Sequence, residues 1–154
     1  STRESQACRA RLLELGISQI SGGSRTSVGG YADQMAASHS EQFDISDHRT
    51  LEEIVAGLLE LGYIPSFCTA CYREGRTGDR FMSLAKRGLI GNCCAPNALM
   101  TLGEYLEDYA SPQTKELGVK MIAEELKKIP SDKVRRITEQ RMVDIAQGKR
   151  DFRF

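Results

Sequence analysis

Apolar residues recur at helical spacing through most of this chain, and polar punctuation separates the runs. Leu51, Ile54, Val55, Leu58 and Leu59 share one face and predict an amphipathic helix, with Thr50-Leu-Glu-Glu53 as a capping box and Gly62 as its stop. A short helix is expected from Thr77 to Lys86. Beyond it the pattern is helical to the end. Leu99, Leu102, Tyr105 and Leu106 make a stripe between Ala98 and Ala110, with Pro96 suited to the first turn. Ser111-Pro112 starts the next helix, which runs to about Lys128 with Leu117, Met121, Ile122 and Leu126 inward. Pro130-Ser131 interrupts it. Val134, Ile137, Met142, Val143 and Ile145 mark a last helix closed by Gly148.

The first thirty residues read differently. Ser1 to Leu15 predicts a helix, with Ser1 as N-cap, Glu4 completing a capping box and Gly16 as the stop. Leu12, Leu13 and Leu15 supply its apolar positions, and Cys8 reads as a small packed hydrophobe. Ile17 to Ser21 reads as a short strand, followed by a glycine-rich run from Gly22 to Gly30. Helix, strand and glycine loop in that order predict the closing segment of an α/β barrel of the TIM type. The loop suits either close backbone approach to a ligand or a plain tight turn; it lacks the P-loop lysine and the full dinucleotide fingerprint. Tyr31 to Arg49 is polar, turn-rich and aperiodic, and holds both histidines, His39 and His48. The expected organisation is a barrel unit over 1–30, a connecting loop and helix over 31–66, and a mostly α-helical cluster-binding domain over 67–154.

Composition narrows the function. Among 154 residues, 21 basic and 21 acidic side chains leave a formal charge of zero, so bulk electrostatics point to no nucleic acid and no membrane partner. From Ser111 onward, 11 Lys or Arg face 7 Asp or Glu, a mildly basic solvated surface. No apolar run approaches a membrane span and no signal peptide opens the chain. The chain starts at Ser1, and a piece of a longer protein is the simplest reading.

Four of the five cysteines, Cys68, Cys71, Cys93 and Cys94, fall within one stretch. Their number is odd and they are clustered, which favours a metal site over disulfides and implies a reducing cytoplasmic location. Cys68-x-x-Cys71 brings two thiolates within reach of one centre. The adjacent pair Cys93-Cys94 is awkward for joint ligation, because neighbouring side chains point apart. The expected ligands are therefore Cys68, Cys71 and either Cys93 or Cys94. Three thiolates suit a 4Fe–4S cluster with one iron open, whereas structural zinc takes a closed set of four, with Cys93 or His48 available as the fourth. A thioredoxin-like dithiol is less suited, since no continuous amphipathic helix follows Cys71.

The same residues carry a resemblance. Cys68-x2-Cys71-x22-Cys94, set in FCTACYREGRTGDRFMSLAKRG and followed by CAPNALMTLGEYLEDYAS, resembles the C-terminal cluster region of the radical-SAM tyrosine lyases (2-iminoacetate synthases) that mature iron-only hydrogenase. STRES, ISQISGGSRTSVGGY, LLELGYIPSFCTACYR and the ending GKRDFRF are similar to that family too, so the likeness covers nearly the whole chain. It implies Cys94 rather than Cys93 as third ligand of an auxiliary 4Fe–4S cluster. It implies Arg3 and Ser21 as the positions that hold the carboxylate of tyrosine. A family histidine that helps hold a labile extra iron lies upstream, so neither His39 nor His48 inherits that role. The family's activity makes p-cresol and dehydroglycine, then carbon monoxide and cyanide, with hydrogenase maturation proteins as partners. S-adenosylmethionine and a second 4Fe–4S cluster belong to an N-terminal part: the C-x3-C-x2-C signature is absent here, so this chain alone is expected to be inactive. The alternative is a structural zinc or protein-interaction module without chemistry of its own.

Overall fold

The computed structural model of the protein describes residues 1–27, 30–31 and 43–154. Contacts divide it into two units, Ser1–Ile54 and Val55–Phe154. His39 and part of the glycine-rich run lie outside the described residues.

In the first unit, α1 spans Gln6–Glu14. Its N-cap is Ser5, whose hydroxyl accepts from Cys8 N at 3.3 Å, rather than Ser1. The helix lacks a strong apolar face: Leu15 is exposed, Cys8 is exposed, and its buried residue is Arg9. A buried guanidinium is tolerable only with partners. Arg9 has two, donating to the carboxylate of Asp47 and to the carbonyl of Ser21. Asp47 is fully buried and also accepts from Arg49, through Nη2 at 2.7 Å and Nε at 2.9 Å. Hydrogen bonds from the Arg49 side chain, followed by its backbone N–H and the charge of Arg9, outweigh burial and hold the Asp47 carboxyl down to about 2. The carbonyl of Thr2 accepts the N–H groups of Ser46 and Asp47 at 2.9 and 3.0 Å, fixing this loop to the N-terminus.

Among the described residues the expected α/β barrel segment is not there. Every regular element among the described residues is a helix, apart from a single bridging residue at Ser27. Ile17 to Ser21 alternates as a strand would, but a strand exists only through neighbours that take up its N–H and C=O groups. The Ser21 carbonyl instead serves Arg9, and Ile17 is exposed. Gly22 allows the following turn to press on the next helix, where an added Cβ would stand 3.0 Å from Ile54 Cδ1.

The helix α2, Leu51–Glu60, opens with the expected capping box. Thr50 N donates to Glu53 Oε2 at 2.7 Å and Glu53 N to Thr50 Oγ1 at 3.2 Å. The second unit then runs through α3 (Ala70–Arg73), α4 (Gly78–Lys86), a 3₁₀ turn (Leu89–Asn92), α5 (Cys94–Asp108), α6 (Pro112–Leu126) and α7 (Asp132–Ala146). Its axis is α5, which packs against α6, α7 and the 3₁₀ turn. Val55, Leu59, Leu99, Leu102, Tyr105, Leu106, Ile122 and Ile129 form the core. Each fully buried leucine there contributes roughly 1.5–3 kcal/mol relative to an exposed one. Ser111 caps α6 through Thr114 N at 3.2 Å, with Pro112 in the first turn, and Ser131 caps α7 through Val134 N at 3.4 Å. Leu51, Leu117 and Val143, placed inward by periodicity, are exposed. A single inner layer leaves the flanks of each stripe uncovered.

Candidate functional site

Cys68, Cys71, Cys93 and Cys94 sit where short pieces of helix and turn meet the start of α5. Phe67 fixes the approach to the first pair: its N–H donates to Thr101 Oγ1 at 3.2 Å and its ring stacks on Tyr105 at 5.0 Å. Cys68 Sγ accepts from Ala70 N at 3.4 Å, which turns this sulfur back over the start of α3, where Cys71 follows. Gly88, at φ +69°, reverses the chain after α4 into the 3₁₀ turn, and that turn delivers Cys93 and Cys94 to the head of α5. An L-residue at Gly88 would be strained.

Cys71, Cys93 and Cys94 line one cavity of about 170 Å³ together with Arg76, against an apolar wall that includes Phe81, Leu84 and Ile90. Cys68 is not among the residues that line it. Burial first, then the neighbouring Cys93 and Cys71, with Cys68 a smaller contributor, push the Cys94 thiol up to about 11. Burial first, and then repulsion between neighbouring thiolates, opposes ionisation here; bound cations reverse that sign. Among the described residues, no three His, Cys, Asp or Glu side chains converge on a point fit for one metal ion. A single zinc needs four sulfurs or nitrogens at about 2.0–2.3 Å from one centre. In a cluster each thiolate binds a different iron, so its ligands stand further apart. The wall adds a second sign of fit: Arg76 Nε is buried without an acceptor, and a group rich in sulfur acceptors would supply one.

The other expected site residues lie in the first unit. Arg3 is exposed, with its guanidinium 4.7 Å from the centroid of the Phe43 ring. Ser21 is exposed and engages Arg9 through its carbonyl. His48 is exposed as well.

Sequence reasoning missed the last residues of the chain. Phe154 N donates to Asn97 Oδ1 at 2.8 Å, and Phe154 O accepts from Asn97 Nδ2 at 3.4 Å and from Arg76 Nη2 at 2.6 Å. Arg76 Nη1 also lies 3.6 Å from Cys93 Sγ. Arg141 stacks over the rings of Phe152 and Phe154, Arg73 pairs with Asp151, and Arg153 pairs with Glu74 at 2.9 Å. One signal was available: Asn97 follows Pro96 on an apolar helix, and a buried amide there demands partners.

Residues 1–64 match the model of the biotin and thiamin synthesis associated domain. No curated protein matches the chain. A crystal structure of HydG, a maturase of the [FeFe]-hydrogenase, superimposes with a TM-score of 0.92 at 51% identity, covering 99% of this chain and 33% of that one. The chain therefore spans about one third of the length of the solved HydG chain. Among the described residues no helix is long and apolar enough to cross a membrane. With half its residues identical over essentially its whole length, the chain belongs to the HydG family, as the counterpart of its C-terminal domain.

Proposed function

We propose that this chain carries an auxiliary 4Fe–4S cluster on Cys68, Cys71 and Cys94, as the C-terminal part of a radical-SAM tyrosine lyase serving hydrogenase maturation. The observation that carries the reading is the meeting of Cys71, Cys93 and Cys94 at one cavity, with Cys68 three residues before Cys71. When bound, a three-thiolate cluster supplies one iron open to a small ligand. The chain's own residues do the rest. Ala70 N–H turns the Cys68 sulfur, Phe81, Leu84 and Ile90 give the cavity an apolar wall, and the Gly88 reversal sets Cys94 at the head of α5. The longer protein would cleave tyrosine with S-adenosylmethionine to p-cresol and dehydroglycine, and release carbon monoxide and cyanide for the hydrogenase cofactor. Arg3 and Ser21 are proposed to hold the tyrosine carboxylate in that protein. There, Arg3→Ala weakens tyrosine binding roughly ten- to hundredfold, for a lost charge-assisted bond of about 1.5–3 kcal/mol, without changing iron content.

Ligand binding at the open iron tests the reading. Added cyanide changes the paramagnetic resonance spectrum of the reduced protein. A spectrum indifferent to cyanide, with a fourth protein ligand identified, contradicts it.

A further inference from the structure

We propose that Arg76 is a positioning residue that sets the electrostatic potential of the cysteine pocket, and that residues 151–154 serve to hold it there. The inference rests on the cluster reading above. Arg76 is the cation among the residues lining the cavity, and its guanidinium is fastened on two edges. Nη2 donates to Phe154 O at 2.6 Å and Nη1 points to Cys93 Sγ at 3.6 Å, while Nε is buried without an acceptor. A long flexible side chain would ordinarily put its charge in water. Here a segment 78 residues downstream holds it at the cavity wall. That segment is held in turn by the Asn97 amide and by ion pairs to Arg73 and Glu74, which bracket the C-terminal end of the Cys71 helix. A fixed positive charge and N–H donors beside a sulfur-ligated cluster stabilise its more negative, reduced state. The tail thus couples the chain's last residues to the reducibility of the cluster.

The test is redox titration of the iron-loaded protein, followed by paramagnetic resonance, with iron content measured on each sample. Arg76→Gln shifts the midpoint potential to a more negative value, and Arg76→Lys, which keeps the charge but loses the fork, lies between it and the parent. A variant ending at Arg150 retains Arg76 but frees it, and shifts in the same direction by a smaller amount. That variant decides the matter if Arg76→Gln loses its iron. An unshifted potential in an iron-replete Arg76→Gln protein, or in the truncated one, overturns the inference. A parent protein that takes up no iron refutes the cluster reading instead, so the two failures are distinct.

Discussion

Arg9 and Asp47, 38 residues apart, form an ion pair closed to solvent, with side-chain exposures of 2% and 0%. Removing one partner leaves a buried charge alone, so Asp47→Ala should cost about 3–5 kcal/mol. Asp47 also makes stability depend on pH, chiefly through the hydrogen bonds it accepts from Arg49 and secondarily through the charge of Arg9. The Asp47 carboxyl falls from 3.8 to about 2 in the folded protein. A depressed carboxylate contributes stability that is full above the unfolded value and is lost as pH falls through the folded one. The contribution, about 2 kcal/mol, is therefore present above about pH 4–5 and gone by about pH 1–2. Urea unfolding between pH 5 and 2 measures it. An Asp47→Asn protein should lose the corresponding part of the slope; an identical slope in the two proteins contradicts the assignment.

Gly118 on α6 meets Leu106 on α5 so closely that an added Cβ would lie 2.8 Å from Leu106 Cδ2 and 3.1 Å from Cγ. Leu106 is 2% exposed, packed in the core. Gly118→Ala gains up to about 1 kcal/mol of helix propensity but overpacks by about 1–3 kcal/mol, and a net loss is expected. Leu106→Ala alone costs about 2–5 kcal/mol. In the double variant the new methyl occupies part of the vacated space, so the losses should fall short of additive. Chemical denaturation of the four proteins closes the cycle, and strict additivity would show that the two residues do not press on each other.

The helical half of this fold was legible because its signals are local. Thr50 with Glu53, and Ser111 with Pro112, each act within four residues, and each forms the cap its position announces. The cysteine spacing is likewise a local signal, and Cys71, Cys93 and Cys94 meet at one cavity. Ile17 to Ser21 misled because alternation describes one strand while a sheet needs several. Helix α1 begins at Gln6 with Ser5, not Ser1, as its cap, because two serines near the start offer the same local signal. The Arg9–Asp47 pair and the docking of Phe154 on Asn97 span 38 and 57 residues, and no local pattern encodes them. Arg76 went unnoticed in a polar stretch because its role comes from what the tail brings to it.

Asn97 is 1% exposed and holds the Phe154 backbone by a donor and an acceptor together. Asn97→Ala deletes both hydrogen bonds and should lower stability by about 1–3 kcal/mol. Its more telling effect is local. With the tail released, trypsin should cut at Arg150 and Arg153 faster than in the parent, at a temperature where the helices remain folded by circular dichroism. Equal cleavage rates would mean that the ion pairs of Asp151 and Arg153 hold the tail without the amide.

Iron and sulfide analysis of four single variants, reconstituted anaerobically, tests the cluster assignment most directly. The parent should be brown, with about four irons and four sulfides per chain, as a 4Fe–4S centre requires. Cys68→Ser, Cys71→Ser and Cys94→Ser should each lose the cluster, and Cys93→Ser should keep it. Loss in Cys93→Ser with retention in Cys94→Ser would exchange the ligand for its neighbour. A colourless parent holding one zinc would contradict the account as a whole.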